Sequence, residues 1–229
     1  AMRDTECDGF DGLFAGAPCD SANGGDAGAT YLVRSPIVST ECLAAADAVF
    51  LGAGEDALFG YSVSASGDID GDGLNDVVIG SPHSFTGDAP GTISVYYSPL
   101  YGEYSHAAAD AVIEIGTHYD TAGSAVHTGG DVNADGKSDI LFGATWSDVH
   151  PTSAGYAGLI LGPVYGSISR DDTTAVFRGE YEFSETGGAV SFLPDVSGDG
   201  ADEIVIGAPL ASDGFPEAGA IYVVHGGGL

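Results

Sequence analysis

Short apolar runs recur along the chain, and each one directly follows an acidic loop. The clearest run is Val77-Val78-Ile79-Gly80-Ser81-Pro82. The four acidic loops begin at Asp4, Asp68, Asp131 and Asp195, so the unit repeats every 63 or 64 residues. A fixed period of this size indicates an array of similar supersecondary units.

The pattern inside each repeat predicts β-strands. A Gly-rich strand precedes the acidic loop, and an apolar strand, a third strand and a fourth strand follow it. The predicted strands cover 30–33, 48–51, 60–65, 77–79, 92–96, 111–115, 123–126, 140–142, 158–161, 175–177, 188–191, 204–206 and 220–224. Continuous apolar runs predict burial on both faces, whereas alternation at Val112 and Glu114 predicts an outer strand. No segment carries a helical period.

Antiparallel four-stranded units in series, buried at their centres, describe the blades of a β-propeller. We therefore predict an all-β fold, with residues 1–229 as one β-propeller domain and approximate repeats 1–52, 53–115, 116–179 and 180–229. The first unit lacks its first strand and the last lacks its fourth. With the apolar strand that follows loop one added to the ranges above, this gives 14 strands, or about 3.5 to 4 blades. A partial ring and a four-bladed ring both stay open. Blade faces exposed at the ends of a partial ring favour a homodimer that closes it.

The composition excludes several partners. The chain has 34 acidic and 5 basic residues, for a net charge of −29, so it does not suit nucleic acid or an anionic membrane. Its best candidate for a membrane span, 43–53, is interrupted by Asp47. Much of the acid lies in the periodic loops, where bound cations would offset it.

The acidic loops have the spacing of a Ca²⁺ site. Side chains at positions 1, 3, 5 and 9 and the carbonyl of position 7 can converge on one ion, and glycine at position 6 permits the turn. The candidate ligands are Asp68, Asp70, Asp72, Leu74 and Asp76 in loop two; Asp131, Asn133, Asp135, Lys137 and Asp139 in loop three; Asp195, Ser197, Asp199, Ala201 and Glu203 in loop four; and Asp4, Glu6, Asp8 and Phe10 in loop one. Loop one has Gly12 at position 9. We expect three Ca²⁺ sites and leave loop one open as a fourth.

Two other interpretations of the loops fit the sequence less well. Ordinary acidic turns would not explain the register, and carboxylates about 4 Å apart repel by about 4 kcal/mol at an effective dielectric constant near 20. An EF-hand needs Glu at position 12, where the chain has Ile79, Phe142 or Ile206 inside a predicted strand. The EF-hand is therefore excluded.

The whole motif resembles a known repeat. Asp-x-Asp-x-Asp-Gly-x-x-Asp, an apolar strand and Gly-Ala-Pro, with Phe59-Gly60 ahead of the best copy, resemble the FG-GAP repeat of the integrin alpha-chain β-propeller and its bacterial relatives. Ala122-Gly123 and Thr186-Gly187 replace Phe-Gly in later copies, and family propellers usually have seven blades. The resemblance implies Ca²⁺ at the matching loops and a place at the cell surface or outside the cell, in adhesion and recognition.

No catalytic motif accompanies these loops. The six histidines lack a metal-binding spacing, and neither a Gly-x-Ser-x-Gly elbow nor a Gly-Lys-Ser phosphate loop occurs. Carboxylate pairs for glycoside hydrolysis stay open as a minor alternative. We expect a non-catalytic module that binds a protein ligand. The alternatives are a lectin-like or accessory carbohydrate-binding domain, with Trp146 as a stacking platform, and a structural assembly unit.

Three cysteines, Cys7, Cys19 and Cys42, lie in the first repeat. In an up-and-down blade, Cys7 and Cys42 lie in loops at one end and Cys19 at the other. If a disulfide forms within the chain, we expect Cys7–Cys42. Three small buried residues are the alternative.

Overall fold

The computed structural model describes residues 12–37, 43–83, 90–115, 120–147, 153–212 and 215–227. These residues form an all-β structure, as predicted, with three short 3₁₀ turns at Leu43–Ala45, His106–Ala108 and Arg170–Asp172. The strands are β1 (Leu13–Ala17), β2 (Ala29–Val33), β3 (Ala48–Leu51), β4 (Ser62–Gly67), β5 (Asp76–Ser81), β6 (Thr92–Tyr96), β7 (Gly102–Ser105), β8 (Ala111–Glu114), β9 (Ala122–Gly130), β10 (Asp139–Ala144), β11 (Tyr156–Ile160), β12 (Gly166–Ser169), β13 (Ala175–Arg178), β14 (Ala189–Leu193), β15 (Glu203–Ala208) and β16 (Ala220–Val224). Within these ranges no helix is long and apolar enough to cross a membrane.

The strands form four sheets that pack in series as a partial β-propeller. Their strand orders are β1-β2-β3-β7, β4-β5-β6-β8-β12, β9-β10-β11-β13 and β14-β15-β16. Apolar side chains fill each junction between successive sheets: Phe50 and Val77 at the first, Val78 and Ile140 at the second, Leu141 and Ile204 at the third. Strands β5 and β10 are buried along their whole length, which confirms the prediction from their continuous apolar runs.

The outermost strands differ from the prediction. Strand β7 pairs in parallel with β3, and β12 pairs in parallel with β8, although β7 and β12 each belong to the next repeat. The fourth strand of the first two repeats is therefore not the outer strand, and 14 strands is an undercount. The segments Gly102-Glu103-Tyr104-Ser105 and Gly166-Ser167-Ile168-Ser169 are short and mostly polar, so the hydrophobic pattern does not mark them as strands.

Glycines explain the close approach of successive sheets. A Cβ built at Gly80, in the strand after loop two, would lie 2.1 Å from the carbonyl oxygen of Gly123 in the next repeat. The corresponding distance from Gly143 to the Gly187 oxygen is 2.0 Å. The second glycine of each pair has a positive φ, 88° at Gly123 and 90° at Gly187. Both members of the pair must therefore lack a side chain.

The fourth sheet has one exposed apolar face. Ile204 and Ile206 of β15 pack towards the third sheet. On the opposite face, Ile221 is 76% exposed and Val223 is 52% exposed. Within the described part of the chain, the fourth sheet is thus an open end of the ring.

Candidate metal centres

Loop two connects β4 to β5 and brings three carboxylates together. Asp68, Asp70 and Asp76 each offer an oxygen, and the three oxygens lie within 4.8 Å of one another. This is the only group of three or more such side chains among the residues that the structure describes. The three belong to positions 1, 3 and 9 of the predicted cation loop.

Backbone N–H groups fold this loop around Asp68. Its carboxylate accepts hydrogen bonds from the backbone nitrogens of Gly71 at 2.7 Å, Asp72 at 3.0 Å and Gly73 at 2.8 Å. Gly71 and Gly73 have φ values of 84° and 94°, which other residues rarely adopt. The glycines thus let the chain turn tightly enough for its N–H groups to point at the first carboxylate.

Asp76 is the buried member of the group. Its two carboxylate oxygens accept hydrogen bonds from the backbone nitrogens of Ile69 at 2.7 Å and Ser98 at 3.0 Å. Burial raises the pKa of Asp76 to about 7, and the nearby Asp70 charge acts in the same direction. Burial also raises the pKa of Asp70. A divalent cation would favour the ionised form of both groups.

Asp72, the fourth candidate carboxylate of loop two, lies outside this group of three. Asp72 is exposed, and its carboxylate accepts a hydrogen bond from the backbone nitrogen of Leu74 at 2.8 Å. Asp72 is not among the three converging carboxylates. In an ion-free loop, its bond to Leu74 keeps position 5 beside position 7, whose carbonyl is a candidate ligand.

Loop three repeats the arrangement with one substitution. Asp131 accepts hydrogen bonds from the backbone nitrogens of Asp135 at 3.0 Å and Gly136 at 2.8 Å. Asp139 is fully buried, and burial raises its pKa to about 6. Position 3 is Asn133, whose amide nitrogen donates to Asp135 at 2.9 Å, so the loop offers one carboxylate fewer than loop two.

Loop four is also folded around its first residue. Asp195 accepts hydrogen bonds from the backbone nitrogens of Gly198 at 2.6 Å and Gly200 at 2.9 Å. Glu203 is fully buried and accepts hydrogen bonds from the backbone nitrogens of Val196 and Ser197. Asp199 accepts one from the backbone nitrogen of Ala201 at 3.0 Å, as Asp72 does from Leu74.

Three side chains take part in the loops although sequence reasoning did not assign them this role. His225 lies 3.4 Å from the carboxylate of Glu203. Asp202 accepts hydrogen bonds from the backbone nitrogens of both Asp131 and Asp195, each at 3.0 Å. The Lys137 side chain leaves loop three and contacts loop two. No local motif marks these contacts, because all of them except the one between Asp195 and Asp202 join residues that are distant in sequence.

The candidates in loop one, Asp4, Glu6, Asp8 and Phe10, lie outside the described residues. So do Cys7 and Cys42, so their predicted disulfide stays a prediction. Cys19 is exposed and is a free thiol.

The donor set fits a hard divalent cation. Asp68, Asp70 and Asp76 supply only oxygen atoms, and the carbonyl of Leu74 would add a neutral oxygen. Ca²⁺ accepts six to eight such ligands in a flexible geometry, whereas Mg²⁺ is reluctant to lose its waters to a protein cage. Loops three and four offer the same backbone frame with fewer converging carboxylates.

A cleft lies among the loops at the other ends of the sheets. It has a volume of about 290 Å³, and three successive repeats contribute to its lining. Tyr61 and Trp146 are 56% and 47% exposed, and His83 and Glu185 also line it. Burial lowers the pKa of His83, which favours the neutral imidazole.

Sequence comparisons agree with this geometry. The FG-GAP repeat profile matches residues 59–96, 122–160 and 186–224, which together make up just over half of the chain. The chain is 30% identical over 180 residues to integrin alpha pat-2 of Caenorhabditis elegans, covering 74% of this chain and 14% of the relative. Identity to integrin alpha-PS5 of Drosophila melanogaster is 31% over 159 residues, or 67% and 15% of the two chains. Identity to integrin alpha-5 of Xenopus laevis is 28% over 180 residues, or 75% and 15%.

The chain spans about one seventh of the length of these integrin relatives. The matches include the three described acidic loops and the glycine pairs that join the sheets. The chain belongs to the FG-GAP repeat family.

Proposed function

We propose that this chain is a Ca²⁺-binding, non-catalytic recognition module that binds a protein ligand outside the cell or at its surface. The observation that carries this proposal is the convergence of Asp68, Asp70 and Asp76 inside an FG-GAP repeat. Similarity to integrin alpha chains supports adhesion and recognition as the setting. Three loops would hold Ca²⁺, and loop one stays a candidate for a fourth ion.

The Ca²⁺ in this proposal stabilises the fold and does not activate a substrate. The candidate carboxylates lie at the strand-to-strand turns, where they already accept backbone hydrogen bonds. A bound ion would neutralise the charge that these turns concentrate. Recognition would then use the surfaces that the cation-stabilised sheets hold in place.

Titration calorimetry and equilibrium dialysis test the Ca²⁺ part. We expect about three bound ions for the wild type and the loss of one in Asp70→Ala, because that change removes a converging carboxylate. Asp171→Ala is the matched control, since it removes an exposed acid outside the loops. A wild-type chain that binds no Ca²⁺ at millimolar concentration would refute the proposal.

A homodimer that closes the ring is a further part of this proposal. The exposed Ile221 and Val223 on the outer face of the fourth sheet support it, because large apolar faces are rarely left in water. Light scattering in Ca²⁺ tests it. A single 22.9 kDa species at micromolar concentration would contradict the dimer.

A carbohydrate ligand is the second candidate, and the cleft favours it. Tyr61 and Trp146 present exposed aromatic surface beside the carboxylate of Glu185, which suits stacking on a sugar ring and hydrogen bonding to its hydroxyls. A glycan array tests this candidate. Binding that Trp146→Ala removes, and that Phe215→Ala on another exposed surface preserves, would favour a lectin over a protein-binding module.

A further inference from the structure

Lys137 places a positive charge from loop three against the backbone of loop two. Its Nζ donates a hydrogen bond to the carbonyl oxygen of Asp70 at 2.9 Å. A Cβ built at Gly71 would lie 3.4 Å from Cε and 3.5 Å from Nζ of Lys137. The side chain therefore lies along the turn that carries the converging carboxylates, although Lys137 is 67 residues from Asp70 in sequence.

A second contact fixes the same two loops to each other. The backbone nitrogen of Ser138 donates to the carbonyl oxygen of Asp68 at 2.8 Å. Lys137 and Ser138 thus hold the backbone of Asp68 and Asp70, the first two candidate ligands of loop two. Because two adjacent residues make these contacts, the ammonium group has a defined place beside the loop.

The next junction has the backbone contact without the charge. The backbone nitrogen of Asp202 donates to the carbonyl oxygen of Asp131 at 2.9 Å, as Ser138 does to Asp68. The residue that corresponds to Lys137 in loop four is Ala201, which has no side chain that could reach loop three. Lys137 is also the only lysine of the chain. Among the three acidic loops that the structure describes, the charged contact therefore joins loops two and three alone.

We propose that Lys137 is a tethered cation that lowers the affinity of loop two for Ca²⁺ and holds the ion-free loop together. This inference rests on the proposed function, since it requires that loop two bind Ca²⁺. The ammonium attracts the carboxylates when no ion is present and repels a divalent ion that enters. The carbonyl of Lys137 is a candidate ligand of loop three, so one residue serves both loops.

Lys137→Met tests the proposal, because it keeps the aliphatic stem and removes the charge. We expect the Ca²⁺ affinity of one site to rise about tenfold, the scale expected for a unit charge acting on a divalent ion across a few ångströms of hydrated space. The melting temperature in chelator should fall, so the shift on adding Ca²⁺ should grow. Lys137→Arg should return both quantities towards the wild-type values.

Two controls separate a charge effect from a structural one. Arg178→Met removes an exposed positive charge at the opposite end of its sheet and should leave the Ca²⁺ affinity unchanged. The gain from Lys137→Met should shrink at high salt and vanish in the Asp70→Ala background. A purely structural role would instead lower the melting temperature equally with and without Ca²⁺.

The outcomes distinguish this inference from the proposed function. A wild-type chain without Ca²⁺ binding would refute both. A wild-type chain that binds Ca²⁺, with unchanged or weaker affinity in Lys137→Met, would refute the role of Lys137 alone.

Discussion

In the absence of Ca²⁺, the free energy of unfolding should fall as the pH rises. Asp76 and Asp139 are fully buried, and burial raises their pKa values from 3.8 to about 7 and about 6. In the unfolded chain both carboxyl groups ionise near the ordinary pKa of an aspartate. The ion-free folded state therefore binds protons more tightly than the unfolded state, and its stability is lost as the pH rises through the folded pKa values.

The pKa values set the size of this effect. At about 1.4 kcal/mol for each factor of ten, ionising Asp76 in the ion-free fold costs about 4 kcal/mol and ionising Asp139 about 3 kcal/mol. About 3 kcal/mol of this combined loss falls between pH 5.5 and pH 8. For a chain of this size, that loss lowers the melting temperature by about 6–12 °C.

Bound Ca²⁺ should cancel this trend, because it favours the ionised carboxylates. A site filled at about 100 times its dissociation constant adds about 2.7 kcal/mol to the free energy of unfolding, and three such sites add about 8 kcal/mol. The free energy of unfolding of a whole domain is about 5–15 kcal/mol. The gain in melting temperature on adding Ca²⁺ should therefore be largest at pH 8 and smallest at pH 5.5.

Differential scanning calorimetry at pH 5.5, 6.5, 7.2 and 8 provides the assay. The ion-free protein should be prepared over a chelating resin and kept in excess BAPTA, with the free Ca²⁺ concentration measured at each pH because the chelator also binds protons. Each scan has a partner in excess Ca²⁺ at the same ionic strength. A melting temperature in BAPTA that stays constant or rises with pH would refute the assignment of buried, ion-compensated carboxylates.

Three substitutions and one control substitution test other parts of the fold. Asp202→Ala removes the acceptor of backbone N–H groups in loops three and four, and should lower the free energy of unfolding in urea by about 1–3 kcal/mol. Gly143→Ala, whose Cβ would overlap the next repeat, should lower it by more than about 3 kcal/mol, while Gly54→Ala, which meets no atom within 4 Å, should change it little. Equal losses for the two glycines would contradict the close-approach argument. Ile221→Glu should leave a monomer in light scattering if a second copy covers the fourth sheet, and an unchanged dimer would place the contact elsewhere.

Local pattern was sufficient for the central strands of the second and third sheets and for the turn in loop two. Strands β5 and β10 are buried on both faces, and their continuous apolar runs already indicate this. The glycines of loop two lie where the spacing of its aspartates requires a turn. Both features depend on a few consecutive residues, so the sequence contains the whole signal.

The contacts between repeats could not be predicted from the local sequence pattern. Strands β7 and β12 are polar segments that become strands because a neighbouring sheet offers them an edge. From the sequence, Lys137 is only a candidate carbonyl ligand at position 7 of its own loop. Its side-chain contact with Asp70 depends on how closely two sheets pack. Such contacts depend on how far apart successive sheets lie and how they are oriented, and the sequence of a single repeat does not specify this.

The parallel strands β7 and β12 also determine when the first and second sheets can be completed during synthesis of the chain. The first sheet receives its last strand, β7, only after the third strand of the second repeat, and the second sheet waits for β12 in the same way. During translation, β3 and β8 therefore keep a bare edge while the following repeat emerges from the ribosome, and bare edges are sites of wrong pairing. These two sheets are completed one repeat behind the growing chain, so a pause in translation inside one repeat prolongs the exposure of the bare edge in the repeat before it.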